Sequence, residues 1–142
     1  MAAAKMTIEK IQDFMAADFP QARTRVLEVT GDSARVRCAI GHSDLRPGGT
    51  VSGPSIMAVA DFALYVAIFA ALGPVPLAVT TNLNINFLNK PSAGADLVGE
   101  CRLIKVGKRL VVGEVNVYSD GREGLVAHVT GTYSVPPEYL ET

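Results

Sequence analysis

The sequence predicts a single α+β domain in which a six-stranded antiparallel sheet wraps around one long central helix, with a second helix at the N-terminus. Residues 54–72 are almost entirely apolar and carry one charge, Asp61. A helix that is apolar on all sides has to be buried on all sides. The segments before and after it show the alternation and the turn residues of strands. A chain of 142 residues is long enough for one core of this kind.

The predicted elements follow from local patterns. Ile8, Ile11 and Phe14 recur at helical spacing, and polar residues separate the later runs. The elements are an N-terminal helical segment (1–23), strands at 25–29 and 34–40, a loop at 41–49, the central helix at 54–72, strands at 77–88, 95–106, 109–118 and 124–135, and a tail at 136–142. The last four strands are predicted to form an antiparallel meander.

The limits of the central helix follow from its terminal residues. Ser52 can cap the first turn, where Pro54 is tolerated, and Gly73 followed by proline ends the helix. A length of about 19 apolar residues would also span a membrane. Asp61 and the strand patterns on both sides favour a buried core helix instead.

Composition excludes several classes of function. A net charge of −1 leaves no electrostatic footprint for nucleic acid. Zinc spacing, a phosphate-binding loop and a dinucleotide motif are all missing from the sequence, so we expect neither a metal nor another cofactor. Cys38 and Cys101 lie in separate strand-like runs, which is typical of core thiols in a reducing compartment. The N-terminal residues do not form an apolar leader, so we expect a cytoplasmic protein.

Asp61 is the residue that needs a chemical explanation, because a carboxylate among apolar neighbours is costly unless it is hydrogen-bonded, paired or functional. A glycine-rich segment from Arg46 to Gly53 leads to the helix N-terminus, whose N–H groups bind negative charge or a developing oxyanion. Helical rise separates Gly53 from Asp61 by about 12 Å, so both could reach an extended group beside the helix. This pattern favours hydrolysis.

With a glycine (Gly53) followed by an aspartate (Asp61) on the central helix, the chain resembles the hotdog-fold acyl-CoA thioesterases, specifically the phenylacetate-type branch. Members carry approximately N-x5-H-G-G-x7-D, and Gly53 and Asp61 match its first glycine and its aspartate. Ser52 stands where histidine is usual, Pro54 where the second glycine is usual, and Arg46 where asparagine is usual.

The resemblance extends over most of the chain, from about residue 26 to residue 135. Residues 79–87 (VTTNLNINF) are similar to the family's strand after the helix, and residues 106–110 to its hairpin.

The resemblance implies hydrolysis of an acyl- or aryl-CoA thioester. Gly53 N–H would polarise the carbonyl, and Asp61 would activate water or attack the carbonyl itself. A hydroxyl from a neighbouring subunit would assist: the motif alignment favours Thr80, whereas strand alternation places Thr81 on the side facing the helix. The further substrate-binding candidates are Ser52, Arg46, Thr81, Tyr65, Lys90, Lys108 and Arg109, with Met57, Phe62 and Phe87 as additional pocket residues.

Arg46 has a second possible role. If the loop folds back, Arg46 could form an ion pair with Asp61 and weaken Asp61 as a base.

Oligomerisation is expected as well. One sheet around so apolar a helix leaves an edge strand and a helix flank exposed, which favours pairing with a second copy. The family forms dimers with joined sheet edges, commonly paired into tetramers, and its active sites lie at the dimer interface. We therefore expect a homotetramer with interfacial sites and with neither nucleic acid nor a membrane as partner.

Two alternatives remain open. The unusual Ser52 and Arg46 are compatible with a non-catalytic acyl-CoA-binding or sensing protein on the same fold. A pair of His42 with Asp61 would suit an enoyl-thioester hydratase or dehydratase. His128, in the middle of a strand, is predicted to be a half-buried structural side chain.

Overall fold

The computed structural model describes residues 3–20, 23–92 and 94–137, so parts of the predicted segments 1–23 and 136–142 lie outside the described residues. The elements are α1 (Ile8–Asp18), β1 (Thr24–Val29), β2 (Ser33–Cys38), α2 (Gly53–Leu72), β3 (Val79–Phe87), β4 (Leu97–Val106), β5 (Leu110–Ser119) and β6 (Leu125–Ser134), with a short 3₁₀ turn at His42–Asp44. All six strands form one antiparallel sheet around α2, which confirms the predicted fold class.

The ends of α2 show the predicted capping. The Ser52 hydroxyl accepts a hydrogen bond from Ser55 N–H at 3.3 Å. At the other end Gly73 has φ 88°, which suits glycine, and its N–H donates to the Phe69 carbonyl at 2.8 Å. The helix therefore starts one residue before the predicted limit and ends where predicted.

Burial inside the domain accounts for the composition of α2. Among the described residues it is the one helix with the length and hydropathy of a membrane span, and 61% of its most apolar window is buried in the fold. A stripe along one side stays accessible and includes Pro54, Met57, Ala58 and Asp61. The sheet therefore encloses the helix except along this stripe.

Two glycines let the sheet approach α2 closely. Gly113 in β5 and Gly131 in β6 lie directly opposite each other, and Leu64 of α2 fills the space above them. A Cβ atom would lie 2.7 Å from a Leu64 methyl group at Gly113 and 2.5 Å from one at Gly131. A side chain at either position would force Leu64 to shift within a packed core.

The strand order corrects one prediction. The sheet order is β1-β2-β4-β5-β6-β3, so β3 pairs with β6 and not with β4. Only β4, β5 and β6 form a meander, and the predicted four-strand meander is wrong. Alternation identifies a strand but does not identify its partner, and the sheet curves around α2 until β3 closes its far edge.

The two edges of the sheet differ. The Gln12 side chain of α1 occupies the free edge of β1: its amide N–H donates to the Thr24 carbonyl at 3.2 Å, and its carbonyl accepts from Val26 N–H at 2.8 Å. The nine-residue β3 is exposed along almost its whole length. Edge strands of this kind are the ones that pair with another chain.

We predict that Gly131→Ala will lower the free energy of unfolding by about 1–3 kcal/mol, because the new methyl group overlaps Leu64 in a packed core. Urea denaturation measures this change. Gly124→Ala is the matched control, since a Cβ atom there meets no other atom within 4 Å; it should change stability by less than about 0.5 kcal/mol. Equal stability of both variants would contradict the described packing.

Candidate active site

The Asp61 carboxylate is held by two hydroxyl groups from neighbouring strands. Thr80 Oγ1 in β3 and Tyr133 Oη in β6 each donate a hydrogen bond of 2.7 Å to the same oxygen, Oδ1. Tyr133 Oη also lies 3.2 Å from the Asp61 main-chain carbonyl. Asp61 itself is half-buried, on the accessible stripe of α2. The arrangement satisfies one carboxylate oxygen and leaves the other available.

A break in the β3–β6 register explains why Thr80, and not Thr81, contacts Asp61. Thr80 pairs with Tyr133 and Asn82 with Thr132, so Thr81 is the additional residue of a bulge. Thr81 Oγ1 donates instead to the Thr132 carbonyl at 3.3 Å. The bulge reverses the alternation, which is why the strand pattern favoured the wrong threonine for the Asp61 side.

Thr80 contacts the carboxylate of its own chain. We expected this hydroxyl to come from a neighbouring subunit, and the 2.7 Å intrachain hydrogen bond corrects that expectation.

The groove around Asp61 is largely apolar. Its volume is about 520 Å³. The lining residues are Phe19, Ala58, Asp61, Phe62, Tyr65, Pro76, Ala78, Val79, Thr80 and Tyr133, which include no Lys, Arg or His. Tyr65, a predicted binding residue, is 8% exposed, and its hydroxyl donates to the Pro76 carbonyl at 2.9 Å.

Gly53 lies in a different groove, with a volume of about 460 Å³. Arg46, Lys90 and the exposed Phe87 also line it. As the first residue of α2, Gly53 has an N–H without a partner inside the helix. Two cationic side chains therefore lie around a helix N-terminus, an arrangement suited to anionic groups.

The two grooves show where three predicted site residues lie. Gly53 and Asp61 of one chain line separate grooves. Arg46 is in the Gly53 groove, and none of the salt bridges among residues 3–20, 23–92 and 94–137 includes Asp61. The ion pair between Arg46 and Asp61 is not formed.

Asp44 anchors the N-terminus of α2 to the preceding loop. Its carboxylate accepts hydrogen bonds from Ser55 Oγ at 2.9 Å and from Gly41 N–H at 2.8 Å, and forms a salt bridge with Arg23. Its main-chain carbonyl accepts from Ser52 N–H at 2.7 Å. Burial alone would raise the pKa of Asp44, but the hydrogen bonds from Gly41, Ser55 and Arg23 lower it below its ordinary value.

The remaining candidates lie away from both grooves. Lys108 and Arg109 are exposed at the turn between β4 and β5. His42 is exposed on the 3₁₀ turn, and the pair of His42 with Asp61 that the hydratase alternative needs is not formed. The Ser52 hydroxyl takes part in helix capping. His128 is half-buried, as predicted, with Nε2 3.3 Å from Glu114 Oε2.

The cysteines lack the character of nucleophiles. Burial raises the pKa of Cys101 to about 12 and also raises that of Cys38, so both thiols keep their protons at neutral pH. Within the described part of the chain, no group of three His, Cys, Asp or Glu side chains is placed to hold a metal ion.

Sequence reasoning missed Tyr133. It lies 72 residues after Asp61 and contacts it only because β6 pairs with β3. Its one sequence signal is its place in an alternating run, where a tyrosine on the core side needs a partner for its hydroxyl.

The fold is that of a hotdog-type domain, and comparison with known proteins identifies the family. Residues 48–126 match the model of the thioesterase superfamily. A proposed esterase of Saccharolobus solfataricus is 39% identical over 109 residues, which cover 77% of this chain and 69% of that protein. The chain therefore belongs to the thioesterase superfamily, a class of thioester hydrolases.

Solved structures agree with this assignment. A proposed thioesterase from Silicibacter sp. TM1040 has a TM-score of 0.87 at 39% identity, covering 94% of each chain. A variant of the phenylacetic acid degradation protein PaaI from Thermus thermophilus has a TM-score of 0.71 at 27% identity, covering 87% of this chain and 99% of that one.

We predict that Asp44→Asn will lower the free energy of unfolding at pH 7 by about 1–3 kcal/mol, because an amide cannot satisfy all the donors around Asp44. The folded-state pKa of Asp44 is depressed, so its ionised form stabilises the fold above the unfolded-state pKa. This contribution is lost as the pH falls through the folded-state value.

The difference in the free energy of unfolding between Asp44→Asn and wild type should therefore shrink below about pH 4. Urea denaturation at several pH values measures it, with the exposed Asp13→Asn as the control. A difference that grows with acidity would contradict the role of Asp44.

Proposed function

We propose that the protein is an acyl-CoA thioesterase in which Asp61 is the catalytic carboxylate. The observation that carries this proposal is the Asp61 site itself: a carboxylate oriented by two hydroxyls, with one oxygen available, in an apolar groove of a thioesterase-superfamily fold. Such a groove suits an acyl group, and the carboxylate suits the activation of water.

The positions of the two grooves along β3 support an active site shared between two copies. Thr80, at the start of β3, contacts Asp61. Phe87, at its end, packs against Gly53, and its nearest ring carbon lies 3.3 Å from the position that a Gly53 Cβ would take. Antiparallel pairing of two β3 edges about a two-fold axis brings the start of one strand to the end of the other. Asp61 of one copy then lies near Gly53 of the second.

The contacts of Gln12 support β3, and not β1, as the edge that pairs with a second copy. The amide of Gln12 already occupies the free edge of β1, whereas β3 is exposed beside the accessible stripe of α2. The apolar members of this surface include Met57, Val79 and Phe87, all more than one-third exposed. A second copy would cover them.

In the proposed reaction, the Gly53 N–H of one copy hydrogen-bonds to the thioester oxygen as negative charge develops on it. Asp61 of the other copy removes a proton from water, and the water oxygen bonds to the carbonyl carbon. The carbon–sulfur bond then breaks, and the proton passes to the CoA sulfur. Direct attack by Asp61, followed by hydrolysis of the mixed anhydride, gives the same products.

The cations near Gly53 suit the CoA part of the substrate. Arg46 and Lys90 line the same groove as Gly53, so these two cations supply positive charge for the phosphates of CoA, while the Gly53 N–H remains for the thioester oxygen. The acyl group would then enter the apolar groove beside Asp61, against Phe62 and Tyr65.

We predict that Asp61→Asn will reduce thiol release from acyl-CoA substrates by about 10²–10⁴-fold, because the amide cannot accept the proton from water. A thiol reagent measures release across a panel of aryl- and alkyl-CoA thioesters. Asp13→Asn, an exposed substitution on α1, is the control and should retain wild-type activity. Wild-type binding of acyl-CoA without turnover would indicate the non-catalytic alternative, and turnover unaffected by Asp61→Asn would exclude the proposed mechanism.

We predict that two inactive variants will complement each other if the site is shared. Gly53→Pro removes the N–H at a helix position where proline fits, and the extended Ser52 before it (φ −71°, ψ 152°) is compatible with a following proline. A purified heterodimer of Gly53→Pro and Asp61→Asn contains one site with both native groups. It should show about half of the wild-type activity per dimer, since one of its two sites is intact.

Gly53→Ala is the control, because it keeps the N–H and places a Cβ atom against Phe87. An inactive heterodimer would show that each site uses Gly53 and Asp61 of the same chain.

A further inference from the structure

The Asp61 carboxylate is held asymmetrically. Tyr133 and Thr80 both donate to Oδ1, each at 2.7 Å, and the hydrogen bonds among the described residues include none to Oδ2. Two donors on one oxygen fix the plane and the direction of the carboxylate. Asp61 lines the groove, so Oδ2 is the carboxylate oxygen left to interact with a molecule bound there.

Tyr133 is held more rigidly than Thr80. It lies in β6 between β5 and β3, opposite Val111 on one side and Thr80 on the other. Tyr133 is 3% exposed, whereas Thr80 is exposed on the edge strand. The tyrosine therefore provides the fixed reference for the carboxylate.

Tyr133 also keeps its proton. Burial raises the pKa of Tyr133 far above its ordinary value; the hydrogen bond with Thr80 opposes this effect, and the negative charge of Asp61 adds to it. The phenol is a hydrogen-bond donor at every pH at which the protein would work.

From this geometry we infer that Tyr133 is a positioning residue for Asp61: with Thr80 it holds Oδ1 and stabilises the ionised carboxylate, so that Oδ2 takes the proton from water. This inference rests on the proposed thioesterase function. The thioesterase motif in the sequence does not include this position, and the contact depends on the pairing of β6 with the edge strand β3.

The surroundings of Asp61 make the inference testable by pH. The titratable side chains that line its groove are Tyr133 from β6 and Tyr65, one turn further along α2, and both are phenols. Within one chain this lining includes no basic side chain and no second carboxylate, so a difference in the pH–rate profile between wild type and a Tyr133 variant points to Asp61.

The test is Tyr133→Phe, which removes the hydroxyl and keeps the ring. We expect kcat to fall by about 10- to 100-fold, with KM within about threefold of the wild-type value, because the lost hydrogen bond is to a charged group. The acid limb of kcat/KM should move to higher pH, because the ionised carboxylate has lost a donor. Combining Tyr133→Phe with Thr80→Val should give less than the product of the two separate effects on kcat, since both hydroxyls act on Oδ1.

Tyr118→Phe is the matched control. Tyr118 is a half-buried tyrosine of β5 whose hydroxyl interacts with Arg35 and Glu100, away from the Asp61 groove. This variant should leave kcat and the acid limb unchanged.

A second readout is independent of turnover. NMR titration of protein labelled with ¹³C at the aspartate carboxyl carbons follows Asp61 directly, with Asp61→Asn assigning its signal. The titration midpoint should move upward in Tyr133→Phe and stay in place in Tyr118→Phe.

The outcomes separate the two proposals. Wild-type protein without turnover overturns the proposed function, and the NMR midpoint then decides alone whether Tyr133 stabilises the carboxylate. An unchanged acid limb and midpoint in Tyr133→Phe overturn the positioning role, even if the variant is less stable or less active.

Discussion

Burial of α2 is the constraint on which the rest of the structure depends. A helix of this hydropathy cannot remain in water, and a single sheet has to curve to enclose it. Close approach requires glycine at facing positions of β5 and β6, where Leu64 packs onto the sheet. The curvature ends at β3, so the helix keeps one accessible stripe, and Asp61 lies on that stripe.

Placing Asp61 on the stripe solves a solvation problem and creates a site. In the fully enclosed part of α2 the carboxylate would lose its water without adequate compensation. On the stripe, one oxygen receives hydroxyl donors from two strands, and the other remains accessible. The pairing of β3 with β6 is essential here, because it brings Thr80 and Tyr133 to the same oxygen. The strand order that encloses the helix therefore also builds the site.

Sequence patterns predicted the features of the molecule that depend on interactions between residues close in sequence. Ser52, Pro54 and Gly73 defined α2 to within one residue because capping is a local interaction. Strand pairing is not local, so the position of β3 beside β6 was missed. A bulge leaves little trace in the hydrophobic alternation of its strand, so alternation alone favoured Thr81 over Thr80. Tyr133 could not be assigned a partner without that pairing, since 72 residues separate it from Asp61.

Under the proposed function, the separation of Gly53 and Asp61 along α2 gives a role to the exposed edge of the sheet at β3. On a rigid helix the two residues stay about 12 Å apart, too far to act on one carbonyl group. The strand β3 spans the same interval, with Thr80 near Asp61 at one end and Phe87 near Gly53 at the other. In the proposed dimer, a second copy in antiparallel orientation would reverse this order and supply the missing group at each end. Under the proposed pairing, Gln12 has a role in specificity, because it occupies the β1 edge and leaves β3 as the accessible edge.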